Sequence, residues 1–142
     1  RDVCCWPPDG KSGVGFSRAN LFGKNFDAYK EEAQSPILVA QIEHIDAVNN
    51  LEDILQVEGL DAIIVGPYDL SASMGFTGEF KQDDFRVVMG QIIKLCKKYN
   101  IPCGDHIVQP DSKLLKKRMD EGYRFIAYSI DSVFLLYSAQ RR

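Results

Sequence analysis

Four short apolar runs recur along the chain, and the segments between them change period. The runs are "PILVAQIE" (36–43), "LDAIIVG" (60–66), "IPCGDHIV" (101–108) and "RFIAYSID" (124–131). None alternates strictly between polar and apolar positions. Unbroken runs of this length are the pattern of strands covered on both faces.

Between the runs the spacing becomes helical. Val48, Leu51, Ile54 and Leu55 form one helical face, with Gly59 as its C-terminal stop. Phe85, Val88, Met89, Ile92, Leu95, Cys96 and Tyr99 trace a long amphipathic helix. "PDSKLLKKRMDEG" predicts a helix with Asp111 or Ser112 as N-cap and Gly122 as stop. A last helix is expected over 132–140. The stretch after Gly66, through Gly75 and Gly78, reads as a polar loop. Residues 1–24 are rich in Gly, Pro, Ser and Arg and read as a long loop, followed by a short helix over 25–33.

Strands joined in series through helices must pair in parallel, because each helix returns the chain to the same end of the sheet. The expected fold class is α/β, with four parallel βα units in one domain over residues 1–142. A doubly wound sheet and part of a (β/α) barrel both fit.

Composition narrows the classes of function. With 45% hydrophobic and 26% charged residues, the chain is globular. Its formal net charge is -3, and no basic stripe suggests nucleic acid. The basic run "KLLKKR" (113–118) reads as a solvated helix face. No apolar stretch approaches the ~18 residues of a membrane span, and no signal peptide is visible. Cys4 and Cys5 are adjacent, no CxxC pair occurs, and Cys96 and Cys103 fall in core patterns. A reduced, cytoplasmic protein is expected, with no nucleic-acid or membrane partner. The opening "RDVCCWPP" lacks an initiator Met and reads as the middle of a longer sequence.

Active sites of parallel α/β folds lie at the carboxyl ends of the strands. Here those ends present Gln41 and Glu43; Pro67, Tyr68 and Asp69; His106; and Ser129 and Asp131. Glu43 and Asp69 stand one βα repeat apart, and adjacent barrel strands lie ~4.8 Å apart. Two carboxylates without zinc-spaced Cys or His suit a hard divalent cation with open coordination positions. Alternatively, Glu43 caps the next helix and Asp69 opens a helical turn. The residues alone leave both readings open. His44 is expected to be structural, at a helix start. Trp6, beside Pro7 and Pro8, fits either a pocket mouth or a subunit contact. "DGKSGVG" contains Gly-Lys-Ser, but Cys5 stands where a P-loop needs its first Gly.

"QIEHIDAVNNLEDILQVEGLDAIIVGPYDLSASMG" (41–75) closely resembles the HpcH/HpaI family of metal-dependent pyruvate aldolases. Their motif runs Gln-Ile-Glu, Glu/Asp-Ala-Val, Gly-x-Asp-Ala, Gly-Pro-x-Asp-Leu-Ser. "WPPDGKSGVGFSRA" is similar to their Tyr-Pro-Pro-x-Gly-x-Arg-Gly-x-Gly segment, with Trp6 for Tyr and Ser12 for Arg. "IPCGDHIVQPD" and "GYRFIAYSID" follow in the expected order, so the resemblance covers essentially the whole chain.

The resemblance implies a (β/α)₈ barrel of roughly 250 residues, of which this chain is the C-terminal half. It implies that Glu43 and Asp69 bind Mg²⁺, Mn²⁺ or Co²⁺. Gln41 then places pyruvate, and backbone N–H groups around Tyr68 and Asp69 bind its carboxylate. His106 falls at a variable pocket-lining position. The catalytic residues are unknown here, since the family's His and pyruvate-binding Arg belong to the missing N-terminal half. The implied reaction is reversible cleavage of 4-hydroxy-2-oxo acids to pyruvate and an aldehyde, with this chain inactive alone. The alternatives are an incomplete metal-binding or assembly fragment and an acyl-CoA ester lyase. Expected partners are a 2-oxo acid and either a homo-oligomer or the N-terminal half. The family's exchange of C-terminal helices makes 132–142 a contact.

Overall fold

The structure, a computed structural model, describes residues 2–140. The chain divides into two compact units, residues 1–38 with 57–60, and residues 39–56 with the remainder from 61 onward.

The first unit is built on aromatic contacts. Trp6 is buried, with its ring 6.0 Å from Phe26 and 5.3 Å from Tyr29. Trp6 therefore packs inside its own unit. Helix α1 spans Phe26–Glu32, within the expected 25–33. The preceding loop contains a kinked pair of 3₁₀ turns over Arg18–Gly23, broken where Leu21 and Phe22 turn left-handed, that composition conceals. Asn20 creates it: this fully buried side chain donates to the Gly15 carbonyl and accepts from the N–H groups of Ser17 and Gly23.

The second unit carries the sheet. Strands β1 (Val39–Ile42), β2 (Ala62–Val65), β3 (Cys103–Ile107) and β4 (Phe125–Tyr128) pair in parallel in the order β1-β2-β3-β4. Register aligns Gln41 with Ile64, Ile64 with Gly104, and Gly104 with Phe125 across one face. The opposite face carries Ile42, Ile63, Val65 and Cys103. All four are buried under the helices, together with Leu51, Leu70 and Ile92.

Cover is nearly complete for β2 and β3, where only Ile64 and His106 are partly exposed, but not for the edges. Val39 and Gln41 of β1 are exposed, and every residue of β4 is only partly buried. An apolar run shows that a strand can be covered. It does not say whether a second neighbour is present, and β1 and β4 each have one.

The helices depart from the expected spans in two places. The predicted helix after β1 is two short ones, α2 (Ile45–Asn49) and α3 (Leu51–Leu55). Asn50 separates them with non-helical backbone, and its side chain donates to the Asp46 carbonyl at 2.8 Å. The second ends at Gln56, so Gly59 is not its stop. Gly59 sits at φ 81° in a turn closed by the Leu60 N–H on the Val57 carbonyl. The expected loop after Gly66 begins as α4 (Pro67–Ser73), with Pro67 in its first turn, where a missing N–H costs nothing.

The remaining helices follow the pattern. Helix α5 (Asp83–Tyr99) buries Phe85, Val88, Met89, Ile92 and Cys96. Helix α6 (Ser112–Glu121) is capped by Asp111, whose side chain accepts from Lys113 and Leu114 N–H, and it stops at Gly122 with φ 107°. Within "KLLKKR", Lys113, Lys116 and Lys117 are solvated as expected, but Arg118 turns inward. Helix α7 (Asp131–Ala139) buries no residue and exposes Leu135 and Leu136. Residues 141 and 142 of the expected contact segment lie outside the described residues. Among the described residues, no helix is long and apolar enough to cross a membrane.

Candidate functional site

The carboxyl end of β1 supplies the first group. Side chains two apart on a strand share a face, so Glu43 continues the side set by Gln41. Gln41 Nε2 donates to Glu43 Oε2 at 2.5 Å. Gly66, just past β2, donates its N–H to the Ile42 carbonyl at 3.0 Å. A Cβ at Gly66 would lie 3.0 Å from Glu43 Cβ and 3.1 Å from Gln41 Nε2. Glycine at this position lets the end of β2 close against the carboxylate.

The second acid stands in the first turn of α4, where Asp69 is exposed. Two serines hold this helix in place. Ser73 Oγ accepts from the Ile45 N–H at 2.9 Å and donates to the Leu70 carbonyl at 2.7 Å. That bond clamps the segment after Glu43 to the helix bearing Asp69. Buried Ser71 donates to the Tyr68 carbonyl and accepts from the Gly78 N–H. Helical bonding begins with the Leu70 N–H on the Gly66 carbonyl, so the N–H groups of Tyr68 and Asp69 precede the ladder.

Capping does not occupy Glu43. The N-cap of α2 is His44, whose Nδ1 accepts from the Asp46 N–H at 3.2 Å. His44 is structural, as expected. Asp69 does open a helical turn, which leaves its exposed carboxylate free to point outward.

Tyr68 and His106 form a separate pair. Both border one cleft, together with Phe80, whose ring stands edge-on to Tyr68 at 5.0 Å. His106 Nε2 is buried without a hydrogen-bond partner. The structure thus groups Gln41 with Glu43, and Tyr68 with His106. Asp69 follows Tyr68 directly in α4.

Sequence reasoning missed Asp105 and Arg118. Asp105 lies in β3 on the helix-facing side and is 2% exposed. Arg118 Nε approaches its Oδ2 to 2.7 Å, an ion pair whose N–H is not aligned as a hydrogen bond. Arg118 also donates to Glu121 and lies over the Tyr123 ring. Burial raises the Asp105 carboxyl, and the guanidinium pulls against that rise. An acid inside an apolar strand, followed by a helix carrying an Arg, was the available signal. Among the described residues, no group of three or more His, Cys, Asp or Glu is placed to hold a metal ion.

Residues 5–137 match the family model described as HpcH/HpaI aldolase/citrate lyase. The chain is 36% identical over 138 residues to a hydroxypyruvate/pyruvate aldolase of Roseobacter denitrificans, covering 94% of this chain and 52% of that protein. It is 38% identical over 128 residues to a 4-hydroxy-2-oxovalerate aldolase of Novosphingobium aromaticivorans, covering 89% of this chain and 48% of that protein. A crystal structure of an HpcH/HpaI aldolase/citrate lyase family protein from Burkholderia cenocepacia superposes with a TM-score of 0.80 at 29% identity, covering 99% of this chain and 56% of that one. The chain spans about half the length of the curated relatives it matches.

Proposed function

Because this chain belongs to the HpcH/HpaI aldolase/citrate lyase family, we propose that it is the C-terminal portion of a divalent-metal-dependent aldolase. The intact enzyme would cleave 4-hydroxy-2-oxo acids reversibly to pyruvate and an aldehyde. The observation that carries this reading is the Ile45–Ser73 clamp, which ties the segment bearing Glu43 to the helix bearing Asp69. The donor set fits Mg²⁺, Mn²⁺ or Co²⁺: two carboxylates, no soft ligand, and a glycine where a Cβ would intrude on Glu43. Glu43 and Asp69 would hold the ion. When bound, it stabilises negative charge developing on the oxo oxygen of the substrate.

The chain's own residues bind and orient. Gln41 is held by its bond to Glu43, with its amide at the edge of the site, where it can meet a 2-oxo acid. The N–H groups of Tyr68 and Asp69 would meet the substrate carboxylate. Tyr68 and His106 would line the aldehyde side, where His106 Nε2 offers a buried hydrogen-bonding atom. The proton-transferring group would come from the complementary part of the barrel, or from a partner subunit. The exposed apolar residues of α7 support assembly of that kind.

The test is an assay of pyruvate and an aldehyde with Mn²⁺, run on the chain alone and with the complementary portion. Turnover is expected only with both, and only with the ion present. Undiminished turnover after complete chelation would sink the proposal. The glycine offers a finer check. Gly66→Ala is expected to weaken Mn²⁺ binding about 10- to 100-fold by displacing Glu43 and Gln41. Unchanged affinity by electron paramagnetic resonance would remove Glu43 from the site.

A further inference from the structure

A cleft of about 190 Å³ opens beside the first turn of α4 and runs to the connection between β3 and α6. Much of its wall is apolar, with Gln109, Asp111 and Arg118 lining the rest. Tyr68, Phe80 and Phe85 form a chain of ring contacts at 5.0 and 5.4 Å, and Leu114 of α6 adds a fourth wall. Asp105 and His106 also border it. Asp105 is 2% exposed, its Oδ2 lies against Arg118, and its Oδ1 has no hydrogen-bond partner. His106 Nε2 is likewise buried and unpartnered. Gln41, Glu43 and Asp69 do not line the cleft.

A buried carboxylate oxygen without a donor keeps its desolvation cost unrecovered. A ligand that supplies one donor recovers it. The space sets the ligand's size: a dry cavity of about 150 Å³ accepts benzene, so this one takes a single ring with a small substituent. The three aromatic walls suit a planar ring that stacks edge-on or offset. The guanidinium already balances the charge of Asp105, which favours a neutral donor over a cation.

We propose that this cleft is a binding site for a small amphipathic molecule, one aromatic ring carrying a single O–H or N–H donor that reaches Asp105 Oδ1. The cleft shares Tyr68 and His106 with the aldehyde side proposed above, so its role rests on that reading. Binding is read directly, so its failure is distinguishable from failure of the aldolase reading.

Phenol is the probe, and toluene matches its shape without the donor. The measurement is NMR titration of the full-length protein that carries this sequence. Phenol is expected to bind with a dissociation constant on the order of 1 mM, the range open to so few atoms. Ring-current shifts should appear at the Leu114 and Ile107 methyls. Toluene should bind at least about tenfold more weakly. Asp105→Asn removes the buried charge opposite Arg118, leaving it Glu121 alone, and can unfold the chain, so the phenol-to-toluene ratio carries the donor claim in the unaltered protein. Leu114→Trp fills the cleft from a partly exposed helix position and should remove phenol binding. Equal affinity for the two probes overturns the donor assignment. Absence of saturable phenol binding below roughly 20 mM overturns the site. Phenol binding that survives Leu114→Trp lies elsewhere and overturns it as well.

Discussion

Glu43→Ala and Asp69→Ala, made separately in the complete enzyme, should each lower kcat/KM for retro-aldol cleavage by about a thousandfold or more. An ion that stabilises charge at the oxo oxygen contributes several kcal/mol, and each 1.36 kcal/mol is tenfold in rate. Both side chains are exposed, so neither change removes core contacts and the sheet should stay intact. Glu43→Gln keeps the size of the side chain and its hydrogen-bonding reach to Gln41. It should fail nearly as badly, because only the charge has gone. Asp53→Ala, at an exposed acid on α3, is the control and should match the parent. Steady-state kinetics over a Mn²⁺ series decides the matter. Full turnover in either Glu43 or Asp69 variant would exclude a metal role for that residue.

Arg118→Met should destabilise the fold by about 3–5 kcal/mol, since it leaves Asp105 as an uncompensated buried charge. The double variant Asp105→Leu/Arg118→Met should recover most of that loss, because an apolar pair has no charge to desolvate. The pH dependence separates this account from simple packing. Burial raises the folded-state Asp105 carboxyl above its ordinary value of 3.8, and Arg118 opposes the rise. A carboxyl raised on folding binds its proton more tightly in the folded state. Its contribution to stability is therefore largest at low pH and falls as pH climbs from the ordinary value to the folded one. Removing Arg118 lifts the folded value further and widens that window upward. The gap in urea midpoint between parent and Arg118→Met should be small near pH ~4 and largest near pH ~7. A gap that does not change with pH would mean that Arg118 acts by packing alone.

The βα rhythm was legible because each strand and helix face is written locally, as at "LDAIIVG" and along 85–99. Local patterns also misled. The spacing of Val48, Leu51 and Leu55 survives the break at Asn50, so two helices read as one. Pro67, Ser71 and Ser73 look like loop chemistry, yet they open and tether α4. The pair Glu43 and Asp69 could be picked out from its placement at successive strand ends. The serine clamp that joins their segments could not, because it spans 28 residues. Arg118 hid in a basic run whose other members are solvated. Its inward turn depends on Asp105, which lies in the preceding strand.

The strand order β1-β2-β3-β4 repeats the order of synthesis. Every strand after the first pairs with the one made just before it, so no later strand must be inserted between two already joined. Each βα unit can therefore dock on a finished edge as it leaves the ribosome, and the loop to be closed at each step is one repeat long. A doubly wound sheet lacks this property, because its order reverses and an early strand waits for a distant partner. Each new strand adds at the edge of the strand made just before it. An arrest after any repeat leaves a smaller sheet of the same kind instead of one with a gap.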